Sequence, residues 1–328
     1  MKTVFSGIQP SGSVHLGNIL GALVNWKRMQ DEYNCYYCIV DLHSLTTFPD
    51  KDLLQKDKID TIKSLMAVGM SPDRSIIYFQ SDLHHHAELS WILSNFCQIG
   101  ELQRMTQFKD KSESFGTHAG LFTYPVLMAA DILIHKADEV PVGDDQTQHL
   151  ELTRDIATRF NQKYDDIFPV PSRNSTETGA RVMSLRHPES KMSKSDENPN
   201  NYISLLDDPS VIMKKIKRSV TDSKTEIKYD ESRKGLHNLI NIYSAYTGDT
   251  PKEIEDMYVG KMYSDFKVDL ADIVIDALRP IQDEYNRIYS DKAQLDQILK
   301  DGAEKARYQA RKTLDKVYRK VGLVKRAR

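Results

Sequence analysis

Short apolar runs alternate with longer stretches of helical period through the first half of the chain. KTVFSGI, YYCIVDLHSL and SIIYFQS read as strands, while HLGNILGALVNWKRMQDEY and KDLLQKDKIDTIKSLMAVGM between them read as helices. That β-α-β-α-β order predicts a parallel sheet with helices on both faces. Two further helical stretches follow, HHHAELSWILSNFCQIGELQRM and the apolar YPVLMAADILIHKA, the second leading into EVPVGDDQTQH. QHLELTRDIATRFNQKY is amphipathic, with Leu150, Leu152, Ile156 and Phe160 on one stripe. Beyond about residue 200 strand signals nearly vanish, and PSVIMKKIKRSV, GLHNLINIYSAYTG, PKEIEDMYVG, ADIVIDALRPIQDEYNRIYS and the tail all carry helical period. The expected fold is a nucleotide-type α/β domain over residues 1–185, a loop and linker over 186–200, and an all-helical domain over 201–328. The last helix is free to pack back on the first domain.

Composition narrows the setting more than the chemistry. The 328 residues are 40% hydrophobic and 28% charged, an ordinary mix for a globular protein of about two domains. No window reaches 18 consecutive apolar residues, and MKTVFSGIQPSG lacks the apolar region of a signal peptide, so a cytoplasmic protein without a membrane segment is expected. Cys35, Cys38 and Cys97 cannot pair completely. The first two have the C-x-x-C spacing, but they sit in an apolar run that reads as a buried strand, and a structural metal site wants four ligands. The triplet His84, His85 and His86 reads as a solvated turn at a helix start capped by Ser81 or Asp82.

The net charge of −2 conceals an uneven distribution. From Glu304 to Arg328 there are ten Lys and Arg against two Asp and Glu, while Ala303, Ala306, Ala310, Leu314, Val317 and Val321 recur at helical spacing. This reads as a helix with one packed stripe and a basic outer face, which suits either solvent or a polyanion. Lys214, Lys215, Lys217 and Arg218 form a second basic cluster.

Two segments carry candidate chemistry. ESKMSKSDENPN is a polar loop in which Lys191, Lys194 and Ser195 are closely grouped, which suits a solvated linker or a polyphosphate clamp. SGIQPSGSVHLGN punctuates a strand–loop–helix junction with Gly7, Gly12 and Gly17. A helix N-terminus there points unpaired N–H groups into the loop, and His15 and Asn18 share one face of the first turn. The carboxyl end of a first strand is where an α/β sheet binds nucleotides. Neither the Walker loop nor the G-x-G-x-x-G fingerprint is present.

HLGN (15–18) and KMSKS (191–195) together resemble the paired motifs of class I aminoacyl-tRNA synthetases. KMSKS matches in all five letters. The first motif departs from His-Ile-Gly-His at Leu16 and at Asn18, the latter as in the tryptophan branch, which commonly has Thr where this chain has His15. FSGIQPSG, ELQRMTQFKDKS, YPVLMAADIL, VPVGDDQTQHLELTRDIATRFN and GARVMSL extend the resemblance to bacterial tryptophanyl-tRNA synthetases along the whole chain. Leu42 stands where that family more often has Gln.

The resemblance implies a Rossmann-like catalytic domain and a helical anticodon-binding domain. It implies activation of L-tryptophan by ATP, then transfer to tryptophan tRNA, in a homodimer. Mg²⁺ is expected to be held mainly by ATP phosphates and water, with no protein metal ligand assigned. Gln9, Pro10, Ser11, Gly17 and Asn18 would cradle ATP, with His15 beside them. Gly143, Asp144, Asp145 and the backbone around Val182 would hold ribose and adenine. Lys191, Met192, Ser193, Lys194 and Ser195 would close over the phosphates, and Lys111 would add a cation, with Lys109 as substitute. Asp131 would read the indole N–H among Phe5, Met128, Val140 and Val142, Asp138 being the other candidate. Tyr124, Gln146 and His43 would take the α-amino end. Two rivals remain open: a tyrosyl-tRNA synthetase, and a synthetase-like RNA-binding protein without catalysis.

Overall fold

The computed structural model describes every residue except 11–13, 175–180, 194–195, 197, 291 and 325–328. Ser11, Lys194 and Ser195 therefore lie outside the described residues.

Three strands fall where the pattern predicts them: β1 (Thr3–Ile8), β2 (Asn34–Ile39) and β3 (Ser75–Phe79). Two more, β4 (Glu139–Val140) and β5 (Ser172–Arg173), complete a parallel five-stranded sheet in the order β3-β2-β1-β4-β5. β2 ends earlier than its apolar run suggests, because Asp41–Ser44 turns into a helix. There the buried Asp41 carboxylate accepts from Ser81 and Lys58, and Gln80 Oε1 accepts the Leu42 N–H. Those contacts divert the backbone from the ladder.

Alternation along the strands divides the core. Val4, Cys35, Tyr37, Ile39 and Ile77 face a cluster that takes in the helical run 16–29, the helix Lys51–Val68, and Leu205, Phe266 and Leu278 from the second half of the chain. Phe5, Tyr36, Cys38, Val40 and Tyr78 face the helices His85–Ser94, Ala119–Ile134 and Thr147–Lys163. The three cysteines are free, two of them buried in β2. Local signals set the ends of Lys51–Val68: Asp50 accepts from Asp52 and Leu53 N–H, and Gly69 closes the helix at φ 114°.

The C-terminal helix Lys292–Val321 buries Ala303, Ala306, Ala310, Leu314 and Val317 on the second face of the sheet. It crosses β3 so closely that a Cβ on Gly302 would stand 1.9 Å from the Ile77 carbonyl oxygen. Arg307, Arg311, Lys312, Lys316, Arg319 and Lys320 remain exposed on its outer side. Among the described residues, no helix is long and apolar enough to cross a membrane.

Candidate active site

A cavity of about 340 Å³ opens at the carboxyl ends of β1, β2 and β4. The chain leaves β1 towards β2 on one side and β4 on the other, so the crevice lies at the switch point of the sheet, where open α/β sheets bind ligands. It is lined by all eight residues expected around the indole and amino group: Phe5, His43, Tyr124, Met128, Asp131, Val140, Val142 and Gln146. Gln9, Asn18 and Lys111 join them from the expected nucleotide set. Asp138 is elsewhere, accepting the Thr3 N–H at the start of β4.

Asp131 forms the floor. It is 1% exposed, and burial alone would raise its carboxyl pKa. Hydrogen bonds and charge from His43 and His86 outweigh that and hold it at about 2, so the group is a carboxylate. His43 Nε2 lies 2.8 Å from Oδ2, and Gln80 Nε2 lies 2.8 and 2.9 Å from the two oxygens. The Leu42 N–H fixes the Gln80 amide with its NH₂ towards Asp131. His86 Nδ1 is 2.7 Å from Oδ1. A carboxylate has about four lone-pair positions, and His43, His86 and Gln80, which spans both oxygens, stand at all of them.

The histidine triplet is thus not a solvated turn. His84 is the exposed N-cap, and neither Ser81 nor Asp82 caps the helix, because Ser81 is drawn to Asp41. His85 and His86 are buried, and His86 Nε2 meets the Tyr78 hydroxyl at 3.2 Å. That hydroxyl also meets His135 Nε2 at 2.7 Å, beneath Phe5 and Tyr36, on which His135 stacks. Burial keeps His135 far below the ordinary imidazole range, hence neutral. Gln80, His86 and Gln107 went unread in the sequence. They reach the site across 38 to 51 residues or from separate helices, and no local pattern marks such pairing.

His43 meets Asp131 through Nε2 and stands edge-on to the Tyr124 ring, with 6.1 Å between ring centroids, so it lies between the floor and the expected amino end. At that end Tyr124 is flanked by Lys111, whose ammonium lies 5.4 Å from the ring centroid. Burial lowers the Lys111 pKa, with Asp145 opposing.

Among the described nucleotide-side residues, those other than Gln9, Asn18 and Lys111 lie outside the cavity lining. His15 is the N-cap of its helix, and its N–H donates to Asn18 Oδ1, which leaves the Asn18 amide NH₂ to face the cavity. Gly17 allows the two motifs to meet: a Cβ there would stand 3.0 Å from the His15 ring and 3.4 Å from Met192 Cβ. Met192 and Val182 are core residues, 2% exposed, and the Met192 N–H donates to the Val182 carbonyl. An ATP contact from the Met192 side chain is therefore ruled out in this arrangement, as packing holds it inside. Lys191 and Ser193 are exposed on either side of it. Pro10 is buried, and Gly143, Asp144 and Asp145 are exposed where β4 ends, with Asp144 paired to Arg173 at 2.7 Å.

Comparison with known proteins agrees with this geometry. A family model described as class I tRNA synthetases (W and Y) matches residues 1–279. The tryptophan–tRNA ligase of Clostridium acetobutylicum is 50% identical over 326 residues, covering 98% of this chain and 97% of its own length. The structure of tryptophanyl-tRNA synthetase from Mycoplasma pneumoniae superposes with a TM-score of 0.89 at 34% identity, covering 99% of this chain and 98% of that one. That from Campylobacter jejuni, complexed with ADP and tryptophan, gives 0.86 at 34% identity, covering 98% and 100%. The chain belongs to the class I tRNA synthetases of the tryptophan and tyrosine group, among the tryptophanyl enzymes of the bacterial type.

Proposed function

We infer that the chain is a tryptophan–tRNA ligase. The tryptophan carboxylate attacks the α-phosphorus of ATP, the bond to the bridging oxygen breaks, and pyrophosphate leaves. The terminal ribose hydroxyl of the tRNA then attacks the carbonyl of the adenylate and AMP leaves. Such chemistry needs alignment and charge stabilisation rather than a protein nucleophile.

In this reading the cavity holds the amino acid. The observation that carries it is an ionised, buried Asp131 on the wall of a cavity whose apolar side is made by Phe5, Met128, Val140 and Val142. Indole has one N–H donor and no acceptor, so a carboxylate is the fitting complement. Phe5, Met128, Val140 and Val142 pack the ring faces, and Tyr124 and Gln146 take the ammonium end. ATP lies across the mouth on Gln9, Pro10, Ser11, His15, Gly17 and Asn18, with Gly143, Asp144, Asp145 and the Val182 backbone towards the ribose and base. Lys111, Lys191, Lys194 and Ser195, with the Ser193 hydroxyl, supply cations and donors to the departing pyrophosphate. Their attraction grows as charge develops, which is what accelerates the step.

Mg²⁺ would be carried in by the ATP phosphates, which with water supply its oxygen ligands. Residues 201–328, together with the exposed cations of the last helix, form the tRNA-facing part. The exposed Trp91 and Ile99, on successive short helices, offer apolar surface for a homodimer. The enzyme works in the cytoplasm. The test is ATP–pyrophosphate exchange with tryptophan and with tyrosine, followed by charging of total tRNA. Exchange with tryptophan alone supports the reading; exchange with tyrosine alone, or none with either, overturns it.

A further inference from the structure

Tyr124, at the ammonium end of the cavity, is held by two polar neighbours. Tyr124 Oη lies 2.6 Å from His149 Nε2 and 3.2 Å from Gln107 Oε1. The phenol has one proton and two neighbours, so its direction has to be settled by what those neighbours can do. Gln107 settles it. Its Nε2 donates to the Asp145 backbone carbonyl at 3.3 Å, which turns Oε1 towards Tyr124. An amide carbonyl oxygen only accepts, so Tyr124 donates its proton to Gln107.

His149 then takes the other half of the pair. It is 1% exposed, and burial, helped by the nearby Lys111, pulls its pKa down to about 4, so the ring is neutral and carries one N–H. With the proton on Nε2 it donates to the phenol oxygen. The opposite tautomer would bury an N–H at Nδ1, where no partner is in reach, and would confront Tyr124 with two acceptors for one proton. Burial also raises the phenol pKa, so the Tyr124 proton stays in place. The chain of donation runs His149 to Tyr124 to Gln107.

We propose that His149 and Gln107 are positioning residues that commit the Tyr124 hydroxyl proton to Gln107, so that its oxygen offers a fixed acceptor to the primary ammonium group of the amino acid. A freely turning hydroxyl could serve a carboxylate as well as an amine. A hydroxyl committed on both sides accepts only, and it selects the cationic end of the substrate. The inference rests on the cavity being the amino-acid site. It adds that the ammonium end is recognised through two residues that hold Tyr124: His149 behind it and Gln107 beside it on the cavity wall.

The test uses the full-length enzyme and two competitive probes in tryptophan-dependent ATP–pyrophosphate exchange. Tryptamine has the ammonium and no carboxylate; indole-3-propanoate has the carboxylate and no ammonium. His149→Phe keeps the ring volume and removes the donor, and it should weaken tryptamine about tenfold while leaving indole-3-propanoate within about twofold. His149→Gln, which restores an N–H, should recover most of the tryptamine affinity. If His149→Phe does not fold, Gln107→Met on the half-exposed helix Thr106–Phe115 reads the same selectivity by removing the acceptor. Equal weakening of both probes, or no change in either, overturns the proposal. If the wild-type enzyme binds neither probe and exchanges no pyrophosphate with tryptophan, the amino-acid site itself is misassigned and the proposal falls with it.

Discussion

Replacing Asp131 with Asn tests the centre of the site, because it keeps the shape and removes the charge. The carboxylate has four lone-pair positions and three protein neighbours, His43, Gln80 and His86, all within 2.9 Å of its oxygens. A hydrogen bond to a charged acceptor contributes about 1.5–3 kcal/mol. The kcat/KM for tryptophan should therefore fall about 10- to 150-fold in Asp131→Asn. The amide also turns an NH₂ towards groups that are themselves donors, which costs the fold a further ~1–3 kcal/mol. A control separates the two effects. The tryptophan analogue with a benzothiophene ring has sulfur in place of the indole N–H, so it loses only what the distortion takes. The assay is pyrophosphate exchange with both substrates at saturating ATP, and the quantity read is the ratio of their kcat/KM values. A ratio unchanged from wild type would mean that Asp131 serves the fold and not the indole.

The same carboxylate gives a pH signature. Its folded pKa of about 2 lies below the ordinary carboxylate value of 3.8, so its contribution of ~2 kcal/mol is present above pH 4 and is lost as pH falls towards 2. Urea unfolding of wild type and Asp131→Asn should accordingly converge between pH 5 and about pH 2; parallel curves would contradict this. Gly302→Ala should destabilise by at least ~1–3 kcal/mol in the same assay, since the obstacle is the Ile77 carbonyl at 1.9 Å and neither backbone yields cheaply. An unchanged midpoint would mean that the last helix does not sit against β3. Tyr37→Phe removes the 2.5 Å bond from the buried hydroxyl to the Trp26 carbonyl and should cost ~1 kcal/mol with exchange activity intact. A loss of activity there would connect that face of the sheet to the chemistry.

What the sequence revealed and what it hid divide on physical lines. β1, β2 and β3 are five or six residues long, mostly apolar and bounded by turns, so their period registers locally. β4 and β5 have two residues each, below the length at which alternation means anything, yet they put the switch point where it is. The apolar cavity-lining residues Phe5, Met128, Val140 and Val142 were legible because they lie on motif stretches that resemble a family. The Gln80, His86, Gln107 and His149 contacts were not, because they depend on which helix face meets which strand end. His86 is a clear case. In the sequence it is one of three adjacent polar residues, and only the approach of Asp131 makes burying it favourable, since an unpaired carboxylate at 1% exposure would be far costlier.

Met192 shows how a polar loop can be both held and available. A run of Lys, Ser, Asp and Asn has nothing to bury, and the entropy of ordering it has no compensation of its own. Met192 supplies one: its side chain enters the core beside Leu16 and Val182, its N–H is bonded to Val182, and Gly17 leaves the space it needs. Its neighbours Lys191 and Ser193 are consequently turned outward, because side chains on adjacent extended residues point to opposite sides. Residues 203–205 brace the same junction, where Leu16 N–H donates to Ile203 and Leu205 N–H to Val14. Two segments some 175 residues apart thus share one apolar anchor. Lys191, exposed beside this anchor, is thereby held at the junction with Gly17 and the first helical turn, whose Asn18 lines the cavity.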